Sequence, residues 1–146
     1  MLAAPKPAQA NPYDRCTASL IDAGIGLEVA TASCAEALHP ERVSSCVVDI
    51  VAKTAVDPSQ ALGACSRDRR PDDLATCVNT IYSTLADTSA ADALNNCRRS
   101  ILPVRYSDCV IGVAGAAEIS PSESMAICTV AGYRPENVAP TFIYSR

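Results

Sequence analysis

The sequence predicts an all-α fold: four αα-hairpin repeats of about 31 residues, stacked as a short right-handed solenoid and stapled by disulfides. Three observations carry this expectation. The eight cysteines (Cys16, Cys34, Cys46, Cys65, Cys77, Cys97, Cys109 and Cys128) stand at successive gaps of 18, 12, 19, 12, 20, 12 and 19 residues, so two gap lengths alternate and their sum recurs. Apolar residues keep a fixed register to the cysteines at helical rather than strand spacing. Prolines and capping residues keep a fixed register as well, at the places where helices start. A length of 146 residues suits one domain, read as residues 11–131 between a leader at 1–10 and a capping tail at 132–146.

The leader ends in Ala8-Gln9-Ala10, which has the small-x-small form of a signal-peptidase site, yet no apolar stretch precedes it. It reads as the remnant of an export signal or as a disordered Ala/Pro segment. The first helix of each hairpin, helix A, carries the odd-numbered cysteines. Three residues before them stand Tyr13, Val43, Leu74 and Tyr106, and four after them Leu20, Ile50, Ile81 and Val113. Val47, Val78 and Val110 follow three of the cysteines directly, which completes one helical stripe. Pro40, Pro71 and Pro103 lie six residues ahead of three of them, where a first turn tolerates the missing N–H.

The second helix, helix B, opens on aligned caps. Asp57, Ser89 and Ser120 are each followed after five residues by Leu62, Leu94 or Met125 and after eight by Cys65, Cys97 or Cys128. Ser120 to Glu123 spells a full capping box. The hairpins then span 11–38, 40–68, 71–99 and 103–131. The first is degenerate, with Gly26 at the cap position and Thr31 at the apolar one, as terminal repeats tend to be. Beyond the fourth, Arg134-Pro135-Glu136-Asn137-Val138 echoes His39-Pro40-Glu41-Arg42-Val43 until Pro140 stops it. That stretch reads as a stub of a fifth helix A followed by an extended tail, whose Tyr133, Phe142 and Tyr144 either dock on the last hairpin or bind a partner.

Pairing the cysteines within each hairpin gives Cys16/Cys34, Cys46/Cys65, Cys77/Cys97 and Cys109/Cys128 and uses all eight. At 1.5 Å per residue, Cys46 and Cys65 lie about 16 Å and about 12 Å from the cap Asp57 along antiparallel helices. Small residues such as Ala61 and Ala64 let the helices approach. The competing pattern, Cys34/Cys46, Cys65/Cys77 and Cys97/Cys109, strands Cys16 and Cys128 on hairpins at opposite ends. Loops of this size are worth about 3 kcal/mol each in the chain-entropy model. With 25 alanines and few aromatics, each hairpin buries little apolar area and leans on such staples. Disulfides place the protein in a periplasm, an extracellular space or another oxidising lumen. Zinc ligands two to four residues apart are missing from the sequence, so the cysteines do not read as a metal site.

Composition excludes several classes. An apolar content of 49% with a net charge of −4 argues against disorder, and a pI near 4.9 argues against nucleic-acid binding. The longest apolar run, Cys109 to Ala117, stops at Glu118 and falls short of a transmembrane segment. His39 is the single histidine, in a loop before Pro40 with no nucleophile motif beside it, and no cofactor fingerprint is present. Asp72 and Asp73 are explained by the helix dipole. No catalytic or metal-ligating set is therefore assigned.

Charge is more telling. The A-to-B turns carry Asp22, Glu28, Asp57, Asp87, Asp92, Glu118 and Glu123 against Lys53 alone. The B-to-A loops hold Arg42, Arg67, Arg69, Arg70, Arg98, Arg99, Arg105 and Arg134 against Glu36, Glu41, Asp68, Asp72, Asp73 and Glu136. Stacking would align each set along an edge. Capping explains much of the pattern but not the choice of arginine, which suits bidentate recognition of carboxylates or phosphates.

The paired cysteines on helices A and B resemble, in architecture only, the cysteine-rich helical-repeat proteins of bacterial secretomes, in which each αα-hairpin carries a disulfide. The shorter period and the Pro-x5-Cys and cap-x7-Cys spacings depart from that family, so no binding residue carries over. The functional expectation is an exported, non-enzymatic protein–protein interaction module or accessory subunit, with Arg67, Arg69, Arg70, Arg98, Arg99 and Arg105 meeting a protein partner. The alternatives are a cysteine-based metal-binding or storage protein and a small inhibitor of an exported enzyme.

Overall fold

A computed structural model describes residues 11–132, which form eight α-helices and no strand. They are α1 (Pro12–Asp22), α2 (Leu27–Glu36), α3 (Pro40–Lys53), α4 (Pro58–Cys65), α5 (Pro71–Thr84), α6 (Ala90–Arg99), α7 (Pro103–Ala117) and α8 (Pro121–Gly132). The leader at 1–10 and the tail beyond Gly132, with Tyr133, Arg134, Phe142 and Tyr144, lie outside the described residues. The chain divides into two compact units, one ending at Ala75 and the other beginning at Thr76, inside α5.

Helix starts follow local chemistry. Five of the helices begin on the prolines Pro12, Pro40, Pro58, Pro103 and Pro121, and α5 begins on Pro71, so the donor a first turn would leave unpaired is absent. Asp57 accepts from the Ser59 amide at 2.9 Å, Ser89 from Asp92 at 3.2 Å and Ser120 from Glu123 at 3.2 Å. The capping box at Ser120 is half-formed, because the Glu123 carboxylate makes no return bond to the Ser120 N–H. Asn11 caps α1, accepting from both Tyr13 and Asp14. Gly26 stands at the α2 cap and contributes no side-chain bond.

In the first unit α1 packs on α2 and α3, and α3 packs on α2 and α4. Its core holds Leu20, Ile25, Val47, Ile50 and Leu62 around Cys16, Cys34, Cys46 and Cys65. In the second unit α7 packs on α8, and α6 on both. Val78, Ile81, Leu94, Tyr106, Val110 and Met125 form its core with Cys77, Cys97 and Cys128. Within each helix pair one disulfide joins A to B: Cys16–Cys34, Cys46–Cys65, Cys77–Cys97 and Cys109–Cys128, with Cα separations of 6.0, 5.9, 5.9 and 6.0 Å. These distances lie in the ordinary disulfide range.

Two stripe positions differ from expectation. Tyr13 is 49% exposed whereas its counterparts Val43, Leu74 and Tyr106 are buried. On α7 the buried stripe runs through Val110 and Ala114, leaving Val113 half-buried. A further regularity sits four residues before each helix-B cysteine, where Ala30, Ala61, Ala93 and Ser124 are all at 0% exposure. Small side chains there permit the close approach the disulfides need. In the fourth pair the position is filled by a hydroxyl, and Ser124 donates to the Val110 carbonyl across the pair at 2.7 Å.

Candidate interaction surfaces

All eight cysteines are in disulfides, leaving no free thiol. Among the described residues no group of three or more His, Cys, Asp or Glu side chains is placed to hold a metal ion. His39 is exposed at the start of α3, where its side chain makes no capping bond. It borders an open groove of about 270 Å³ in the first unit, with Tyr13, Leu38 and Pro40 beside it. A second open groove, about 320 Å³, lies between Ser19 and Ala23 of α1 and its end and Val48 and Ala52 of α3. Among the described residues this groove holds no Ser, Thr, Cys or Lys side chain beside His39.

The six arginines singled out by the sequence fall into two groups, one per unit. Arg67, Arg69 and Arg70 occupy the α4–α5 junction, all exposed. Asp68 organises it by accepting from the Arg70 amide at 2.8 Å, and the Arg70 guanidinium lies 3.6 Å from Asp73. Nearby in the same unit, Arg42 lies 3.8 Å from Asp72 and Arg15 pairs with Glu41. These pairs are exposed and add little stability, yet they offset much of the positive charge. Among the described residues Arg67 and Arg69 have no ion-pair partner.

The α6–α7 junction is built differently. Arg98 and Arg99 end α6, where the helix dipole favours cations, and Arg105 lies in the first turn of α7. Arg98 Nε donates to Asn95 Oδ1 at 3.0 Å. Among the described residues none of the three has an ion-pair partner, and the sequence from Arg98 to Ser107 contains no carboxylate. Between them Ile101 is 91% exposed, Leu102 44% and Val104 39%. The sequence reading missed these side chains, and also Leu38 at 92% exposure in the α2–α3 junction. A signal was available: Leu38 and Ile101 both lie two residues before a proline, outside the stripe that each cysteine defines.

Nothing known resembles the chain closely enough to lend it a family: no protein-family model, no curated protein and no solved structure matches it. Among the described residues, no helix is long and apolar enough to cross a membrane. The four disulfides fit an oxidising environment.

Proposed function

We propose that this is an exported, non-enzymatic interaction module, a short solenoid of disulfide-stapled αα-hairpins that meets a protein partner through arginines of its B-to-A junctions. The observation that carries the reading is the α4–α5 junction. Arg67 and Arg69 are exposed, have no carboxylate partner among the described residues and interleave with Asp68, Asp72 and Asp73. Such an alternating surface discriminates between partners, because a misplaced charge is repelled while a matched carboxylate is held bidentately. The Cys46–Cys65 disulfide, which ends α4 just before the junction, favours a pre-organised contact. Export is supported by the same sulfur chemistry taken with the Ala8-Gln9-Ala10 sequence. Oxidation of every cysteine also speaks against the storage alternative, which needs thiolates.

The test is affinity capture from an extract of the source cells followed by identification of what is retained. Capture should be lost in Arg67→Glu/Arg69→Glu, with helicity and a free-thiol count of zero unchanged. Retention of the same partner by that variant would reject the α4–α5 assignment.

A further inference from the structure

We propose that the α6–α7 junction is a peripheral contact for an anionic lipid bilayer, with Ile101 and Leu102 entering the headgroup region and Arg98, Arg99 and Arg105 holding phosphate groups. This goes beyond the protein-binding reading and does not depend on it. Three features separate this junction from the others. It joins three exposed cations to three exposed aliphatic side chains with no carboxylate in the segment. The α2–α3 junction exposes Leu38 to the same extent as Ile101 but is flanked by Glu36 and Glu41. The α4–α5 junction has arginines but interleaves them with acids and exposes no large aliphatic.

Shape argues in the same direction. Ile101, 91% exposed, is a projecting tip that borders neither of the two open grooves, unlike Leu38, which lines the first. A protein partner would have to supply a matching concave site for that tip, whereas a bilayer interface accepts a convex apolar wedge without complementary shape. Arginine stems can lie along the apolar boundary while their guanidinium groups stay among the phosphates. Charge complementarity then selects anionic over zwitterionic lipid, and salt weakens it.

The chain contains no tryptophan, so one introduced residue reports alone. Ile101→Trp should show a blue shift in emission and quenching by brominated lipid with vesicles of phosphatidylcholine containing about one third phosphatidylglycerol. It should show neither with phosphatidylcholine alone, and the shift should vanish at high salt. Leu38→Trp, equally exposed but beside acids, should stay unshifted on both vesicles. In the otherwise native chain, Arg98→Ala/Arg99→Ala/Arg105→Ala should lower co-sedimentation with the anionic vesicles on the order of 100-fold, at roughly fivefold per arginine. The proposal is overturned by equal shifts on both vesicles, by an equal shift for Leu38→Trp, or by no shift at all, the outcome expected if the junction instead fits an acidic protein. Blue-shifted emission from Ile101→Trp before lipid is added would also overturn it, since the site would then be covered by the chain itself or by another copy.

Discussion

The first and fourth hairpins close the same disulfide at the same 6.0 Å Cα separation, yet they are stabilised in opposite places. The first has the better turn. Gly24 takes the left-handed conformation (φ 98°), the Ile25 amide reaches Leu20 O and the Gly24 amide reaches Ile21 O, a Schellman motif with Ile25 buried against the core. The fourth has the better packing. Tyr106 is buried, donates to Met125 O at 2.9 Å and bonds the Thr129 hydroxyl at 3.2 Å, and Ser124 links α8 to α7. At the positions of Met125 and Thr129 the first hairpin carries Thr31 and Ala35. Thr31 spends its hydroxyl on its own helix, on Leu27 O and Glu28 O, and the equivalent Tyr13 stays 49% exposed with no hydroxyl partner among the described residues. A shared staple fixes helix spacing; the residues one turn away decide whether the core beneath it extends to the tyrosine.

The largest expected effect comes from removing the staple. Either loop closure is worth about 3 kcal/mol in the entropic account, so Cys16→Ala/Cys34→Ala and Cys109→Ala/Cys128→Ala should lose similar global stability. Their local consequences should differ. In the first, α1 keeps its packing on α3 while α2, with an uncapped start and exposed Leu27 and Val29, should lose hydrogen-exchange protection. In the second, α8 should keep much of its protection through Tyr106 and Ser124. Equal loss of protection in α2 and α8 would refute the contrast.

Next in size is the tyrosine pair. Tyr106→Phe leaves a buried site short of one hydroxyl and should cost about 1–2 kcal/mol, whereas Tyr13→Phe should be neutral within about 0.5 kcal/mol. Chemical denaturation of both variants checks this. Burial holds the Tyr106 hydroxyl above its ordinary pKa of 10.0, outweighing the Thr129 hydrogen bond that lowers it. The neutral phenol is therefore favoured in the fold. Its contribution is complete below the unfolded-chain pKa and is lost as pH rises through the folded one, so alkaline titration above about pH 10 should destabilise the wild type more than Tyr106→Phe.

The regular part of this contrast was legible in the sequence. Alternating gaps placed eight helices and the cysteine pairs, because a helix tethered at one point by a disulfide and begun by a proline leaves its period in the chain. What the pattern left open depended on neighbours in space. Tyr13 and Tyr106 occupy one register position, and only α8 supplies an acceptor and a cover. Leu38 and Ile101 read as apolar residues of a half-apolar chain, and their exposure follows from lying past the end of one helix and before the proline of the next. The arginines were legible as a set, and the Arg70–Asp73 pair spans only three residues, whereas the ion pairs that offset Arg15 and Arg42 required three-dimensional proximity to carboxylates on α3 and α5.

The smallest expected effects probe the turns and run in the opposite sense to the packing. Glu118 ends α7 in the left-handed region (φ 55°), where a Cβ is crowded by the following carbonyl, and Asp87 does the same after α5 (φ 60°). Glu118→Gly should relieve that strain at the cost of a more flexible unfolded chain, a net stabilisation of up to about 1 kcal/mol. Asp87→Gly should give less, because a short polar side chain already tolerates this conformation. Gly24→Ala reverses the chemistry. An added Cβ would meet Pro58 only at an ordinary 3.6 Å, so the loss of about 1 kcal/mol is assigned to backbone strain alone. Thermal melts of the three variants separate strain from packing: if Glu118→Gly destabilises as Gly24→Ala does, the left-handed residue is not the weak point of the fourth hairpin, and its advantage over the first would extend to the turn as well.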